Sequence, residues 1–367
     1  MSKARQLADN GAATPNRNMV INGAMNVAQR STSETGIGAS TSVEYQTVDR
    51  IAVAPNTSGR LTMTQTADGP SGFANCLKLA CTTADTSIAA SEYLLLQHKI
   101  EGQNLQRIKK GTSDAEQITI SFYVKGNASA TYALSLLDND NNRSVSKLFA
   151  VTTSWNRIEL NFPADTTGAF GDDNGAGLTL DFFLHGGSDY TGGTLATTWA
   201  STTNANRAAG ISSFFDATSR TFFLTGLQLE VGSSATPFEH KTFAQDLEDC
   251  QRYLSMEKAD SGAQYKRYAH GGATTTTQAS LEVTFSTPMR ALPTLVLSGN
   301  VNTFLGYSAG ATDVLTNLIV AIDSNAGTFN RAIEITPTVG SGFVAGEQVS
   351  ILSNNSGTTF MSFDAEL

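Results

Sequence analysis

Short runs in which apolar and polar residues alternate recur from Thr47 to the end of the chain, separated by clusters of Gly, Asn, Asp and Ser. A period of two marks strands with one buried face. The clearest run is Gln117–Lys125, where Ile118, Ile120, Phe122 and Val124 alternate with polar positions. Arg157–Phe162 and Leu178–Leu184 behave similarly. Other strands are predicted near Thr47–Ala54, Arg60–Thr66, Cys76–Thr82, Glu92–Lys99, Thr131–Leu137 and Ser146–Val151. One short helix is predicted over Glu101–Lys110. Before these, Asn16–Arg30 places Met19, Ile21, Ala24 and Val27 around an Asn22-Gly23 turn signal, which predicts one kinked strand or two short ones.

The stretch Thr221–Tyr253 divides the chain. Its first part, TFFLTGLQLEV, reads as a strand ended by Gly232 and two serines. Its second part reads as a helix. Thr242 and Gln245 make a capping box, in which each side chain satisfies a free amide of the first turn. Phe243, Leu247, Cys250 and Leu254 follow at spacings of four, three and four. This apolar seam packs either on its own domain or against other copies of the chain. Beyond it, Leu281, Val283 and Phe285 open a second β segment that runs to Leu367. The expected division is an N-terminal arm over 1–15, a β domain over 16–241, a connecting amphipathic helix over 242–257 and a C-terminal, sandwich-like β domain over 258–367.

Composition narrows the class. The 367 residues suit two domains, and 32 glycines with only 16% charged residues suit a mainly β sandwich or jelly roll. Net charge is −9, and Arg290 and Arg331 are the only basic residues after Gly271. A nucleic-acid surface needs clustered Lys and Arg, so that partner is not expected. No run of about 18 apolar residues predicts a membrane-spanning helix. The opening MSKARQLADNG lacks the apolar core of a signal peptide. Cys76, Cys81 and Cys250 are an odd, sparse set, expected as buried free thiols of a chain made in a reducing cytosol.

Several long phrases carry a resemblance. NRNMVINGAMNVAQRST, YQTVDRIAV, KIEGQNLQRIKKGTS, ADTTGAFGDDNGAGLTLDFFL, TTWASTTNANRAAG and LQLEVGSSATPFEHKTFAQDLEDCQRY occur in this order. They resemble tail-fibre proteins of tailed bacteriophages, as do the leading SKARQLADN and the final FMSFDAEL. The resemblance implies a carbohydrate-binding-module-like jelly roll. It also implies a homotrimeric virion component, made in the host cytoplasm, docked to other virion proteins through its N-terminal arm and contacting host surface polysaccharide. The short arm departs from long fibres and suits a short fibre, a fibre tip or a decoration.

Candidate sites follow from the chemistry of sugar binding, which pairs aromatic faces with amides and carboxylates. Tyr190 and Trp199 lie in a long loop, and Phe304 and Tyr307 mark a recognition tip in the distal domain. Trp199 and Trp155 also fit a structural role, and Phe304 and Tyr307 also fit a trimer core. Asp138, Asp140 and Asn142 match the first three ligand positions of an EF-hand loop, but Arg143 stands where Gly is needed and Phe149 where Glu is needed. An EF-hand is thus excluded, while a structural calcium under this loop or under Asp172–Asp173 stays open. His98, His185, His240 and His270 are scattered, and no metalloprotease or nucleophile-elbow pattern occurs. No catalytic residue is expected. A non-enzymatic adhesin is the leading reading, with a structural connector and a polysaccharide depolymerase as alternatives.

Overall fold

The computed structural model describes residues 16–260, 264–321 and 330–367. The arm expected over residues 1–15 lies outside them. The chain divides into two compact units, Met1–Asp246 and Leu247–Leu367, with the boundary inside the helix Phe243–Gln251.

The first unit is built from β1 (Ser33–Ile37), β2 (Glu44–Tyr45), β3 (Ala52–Asn56), β4 (Arg60–Thr66), β5 (Cys76–Thr83), β6 (Tyr93–Glu101), β7 (Ile118–Gly126), β8 (Ala130–Asp138), β9 (Arg143–Val151), β10 (Asn156–Phe162), β11 (Ala176–Gly186), β12 (Ala200–Ser201) and β13 (Thr221–Val231). One sheet has the order β1-β4-β5-β13-β7-β10 and the other β12-β9-β8-β11-β6-β3-β2. Every pairing is antiparallel. From β5 onward the chain crosses repeatedly between the sheets, and this weave makes a jelly-roll β-sandwich. The expected helix near residue 101 is a 3-10 helix, Gly102–Ile108.

Alternation along β7 puts Ile118, Ile120, Phe122 and Val124 into one continuous core. Phe122 is fully buried, edge-on to Phe149 and Phe182 with ring centres 5.1 and 5.2 Å away. The long strands β11 and β13 are buried along nearly their whole length on both faces. All three cysteines are buried. Burial pushes the Cys76 thiol up to about 11.

Residues 16–32 form turns and irregular backbone rather than the expected strand or strands. The reason lies in β13. Its pairing with β5 runs over Thr221–Leu224, and a register shift follows at Gly226, where φ is +63°. Past that point the N-terminal segment takes over the open edge. Met19 N donates to Leu229 O and Leu227 N to Gly23 O, both at 2.9 Å. Asparagine side chains complete the edge. Asn18 accepts from Leu229 N and donates to Leu227 O, while Asn22 bonds both backbone groups of Val27. A Cβ on Gly23 would lie 2.1 Å from the Leu227 carbonyl oxygen. Gly23→Ala is therefore expected to destabilise the unit by about 1–3 kcal/mol, read as a lower urea midpoint, because backbone must move to admit it. An unchanged midpoint would contradict this packing.

The second unit carries β14 (Leu254–Lys258), β15 (Arg267–Ala273), β16 (Ala279–Met289), β17 (Thr294–Leu297), β18 (Phe304–Ser308), β19 (Ala311–Ala321), β20 (Asn330–Val339), β21 (Gln348–Ser353) and β22 (Phe360–Asp364). The sandwich-like expectation becomes more specific here. Six strands close a barrel in the order β15-β16-β20-β19-β18-β21, and β14-β22-β17 form a separate small sheet. Closure removes the open edges that a sandwich would leave. The barrel interior holds Leu281, Phe304, Ile335, Phe343 and Ile351.

The capping box forms: Gln245 N donates to Thr242 Oγ1 at 3.3 Å, and Thr242 N donates to Gln245 Oε1 at 3.0 Å. The helix spans Phe243–Gln251 rather than reaching residue 257. It stops because Leu254–Lys258 pair with the C-terminal strand β22. Leu254 is therefore a buried strand residue, and the seam of Phe243, Leu247, Cys250 and Leu254 does not run along one helix. Phe243 is exposed, Leu247 half-buried and Cys250 buried. Among the described residues no helix is long and apolar enough to cross a membrane.

Candidate functional site

The outer face of the seven-stranded sheet offers a broad strand surface, but the chain's own segment after β11 lies on it. Ala54, Leu95, Ala133 and Phe183 form a small second core there with Ala208, Tyr190 and Ile211 of that segment. Arg207, 6% exposed, donates to Ser135 Oγ at 3.1 Å, pairs with Asp181 and lies 5.1 Å over the Phe183 ring. Tyr190 is half-buried and packed on Tyr93 and Phe183, with ring centres 5.3 and 5.7 Å away. Its ring is a clamp on the sheet, not a free stacking platform.

Elsewhere in the unit, at the margin of the main core, three distant phrases meet on Lys110. Its ammonium reaches Asp138 Oδ2 at 2.5 Å and Asp165 Oδ2 at 3.1 Å, with side-chain exposures of 2%, 0% and 5%. It also donates to the carbonyls of Thr167 and Gly168, both at 2.8 Å. Arg143 forks onto both oxygens of Asp165 at 2.7 and 3.0 Å. Burial alone raises the Asp165 carboxyl, but the bonds from Arg143, Thr167 N and Lys110 outweigh it and hold it below the usual range. The rings of Phe170 and Trp199 stand 5.3 and 5.5 Å from the Lys110 nitrogen. Trp199 is half-buried, and its Nε1 donates to Pro163 O at 2.9 Å. A sugar thus finds one face of Trp199 already occupied by the lysine.

Beside this node opens a groove of about 360 Å³, lined by Leu105, Gln106, Lys109, Thr112, Asp114 and Phe170 among others. Lys109 pairs with Glu116 at 3.1 Å near its rim. The groove offers amide, hydroxyl, ammonium and carboxylate groups beside an aromatic edge, a mixture suited to a hydroxyl-rich ligand.

The acidic turns, where the sequence leaves a structural calcium open, use their carboxylates on the chain's own groups. Asp138 is fully buried, neutralised by Lys110, and accepts from Asp140 N and Asn141 N. Asp140 accepts from Gly171 N and so ties its turn to a second loop, while Asp173 accepts from Gly175 N and closes its own turn. Asp172 is exposed. Among the described residues these four aspartates form no ligand cluster of three. Phe304 also departs from expectation. It lies inside the barrel at 0% exposure, edge-on to Tyr268, and cannot stack on a sugar. Tyr307, three residues on, points to the opposite face and is 36% exposed.

The structure also gathers residues that sequence spacing left apart. Asp85, in the turn after β5, Glu92, just before β6, and His185, near the end of β11, place their ligand atoms within 4.8 Å of one another. All three are buried. Their separations of 7 and 93 residues carry no motif.

No family model matches the chain, and no curated protein sequence matches it. Among solved structures, the enzymatically active domain of tailspike protein 4 of bacteriophage CBA120 gives a TM-score of 0.31 at 13% identity, over 60% of this chain and 22% of that one. A family 61 carbohydrate-binding module with β-1,4-galactotriose gives 0.29 at 10% identity, over 59% and 99%. A family 11 module from Clostridium thermocellum, with a β-1,3-1,4-mixed-linked tetrasaccharide, gives 0.28 at 10% identity, over 57% and 99%. The chain spans about a fifth of the tailspike chain. At these scores the sandwich stands on the chain's own strand pairings.

Proposed function

We propose that this chain is a non-enzymatic, homo-oligomeric fibre protein of a bacteriophage particle that holds host surface glycan. One observation carries the reading. The phrases that resemble tail fibres supply Lys110, Asp165, Phe170 and Trp199, and these build one framework on the jelly roll beside the open groove. The shared phrases thus make both the scaffold and most of the groove's lining, with Asp114 alone of the lining residues outside them.

Two further features support the details. The barrel wall of the second unit exposes Tyr307, Val314 and Ile319, at 36%, 40% and 50%. Val314 pairs with Leu305 across β18 and β19, which makes an apolar strip suited to a second and third copy. The carboxylate pairs Asp138–Asp165 and Asp85–Glu92 are buried where a pyranose has no access, which supports binding without cleavage. Weak sites on three chains reinforce one another by avidity, by roughly 10²–10⁴ when geometry lets them engage together.

Light scattering of the purified chain should give three times its 38.7 kDa mass. Val314→Asp with Ile319→Asp should reduce it to one chain. A wild-type monomer would remove the oligomeric part of the reading. A second reading, a structural connector of the particle, draws on one observation: the chain's own segment fills the outer sheet face.

A further inference from the structure

We propose that Asp85, Glu92 and His185 form a structural site for a borderline divalent transition-metal ion, of which Zn²⁺ is the type. This site is independent of the glycan reading. Asp85 and Glu92 are 5% and 9% exposed, and among the described residues neither has a Lys or Arg within ion-pair distance. Beside them stands the imidazole of His185, at 0% exposure. Two buried carboxylates thus converge on one imidazole, and a divalent ion would balance their charge.

His185 Nε2 is buried with no hydrogen-bond partner among the described residues, and it faces Glu92 Oε2 at 3.9 Å. That gap is too long for a hydrogen bond. It matches the roughly 3–4 Å between two donors that share a metal through bonds of about 2.0–2.2 Å.

Each donor is already oriented by a second contact, as metal ligands are. His185 Nδ1 lies 2.8 Å from Ser213 Oγ, and the tautomer protonated at Nδ1 leaves a lone pair on Nε2. Asp85 Oδ2 accepts from Thr57 Oγ1 at 2.8 Å and Ser58 N at 3.0 Å. Glu92 Oε2 accepts from Ala89 N at 2.8 Å. A nitrogen donor with two carboxylates suits a borderline ion rather than calcium or magnesium, which prefer cages of oxygen. The ion would tie the turn after β5 to the end of β11, across the two sheets.

The test uses the full chain, stripped with a chelator and returned to metal-free buffer. Titration calorimetry with ZnCl₂ should show one ion per chain, and Co²⁺ should give a visible d–d band. At free zinc about a hundred times Kd the unfolding equilibrium should shift about 100-fold, raising the melting temperature by roughly 5–10 °C. Glu92→Gln keeps the shape and the acceptor for Ala89 N. It should weaken zinc binding by more than about 100-fold, beyond the effect of losing an outer-shell contact. His185→Gln should do the same, while His270→Gln should bind as the wild type. Circular dichroism verifies that each variant is folded. The site is overturned if the folded, stripped wild type binds neither ion, if Glu92→Gln binds zinc unchanged, or if calcium alone shifts the melting temperature.

Discussion

Lys110→Met is expected to cost the first unit about 3–5 kcal/mol, the largest loss among single charge removals considered for this chain. Methionine keeps the length of the lysine stem and its contact with Phe170 and Trp199. It removes the one cation that touches both Asp138 and Asp165. Asp165 keeps its fork from Arg143, but Asp138, at 0% exposure, keeps no ion pair among the described residues and feels only the more distant Arg143. The carbonyls of Thr167 and Gly168 lose a donor as well. Melting should fall by roughly 6–20 °C. Adding Asp138→Asn should recover part of the loss, since it removes the stranded charge. A fall below about 1 kcal/mol, or no recovery, would show that the node is solvated.

The same node sets an acid limit. The folded Asp165 carboxyl titrates below its unfolded value of about 3.9, so its contribution is complete above that pH and is lost as pH falls through the lower, folded value. Wild-type stability should therefore drop below about pH 4. Lys110→Met removes one of the groups that depress this carboxyl, so its acid limb should begin at higher pH.

The second large effect is Phe122→Ala, expected to cost about 3–5 kcal/mol. Phe122 is fully buried on β7, which lies between β13 and β10 in its sheet. Its ring meets Phe149 and Phe182 of the facing sheet edge-on, so truncation removes both aromatic contacts and leaves a void between the sheets. Phe122→Leu fills most of that space and should cost less than half as much. Chemical unfolding followed by tryptophan fluorescence reads both. Equal losses for the two variants would place the effect elsewhere than in the void.

Period-two patterning made β7 legible because one face is buried and the other carries polar residues. It also located β11 and β13, although both faces of these are covered. Patterning failed where side chains act as backbone. The Asn18 and Asn22 amides bond the edge of β13, so an apolar-rich segment that reads as a strand is a set of turns. Barrel closure was not legible either, since it depends on β15 pairing with β21, elements more than 70 residues apart. Period two alone does separate Phe304 from Tyr307, because residues three apart on a strand face opposite sides. Placing both on one tip overlooked that. The ionic node and the Asp85–Glu92–His185 cluster were hidden for another reason. A charged residue in a sequence reads as surface until its partners, here tens of residues away, are seen to bury it.

Retention of the full chain on an array of bacterial surface polysaccharides tests the central claim most directly. The account predicts that the folded oligomer is retained on at least one polysaccharide, that retention falls when Asp114 and Thr112 in the groove are replaced by alanine, and that no shorter fragments are released. A folded chain that is retained on none of them, or that shortens the polysaccharide it meets, would contradict it. The first outcome would favour the connector reading and the second a depolymerase.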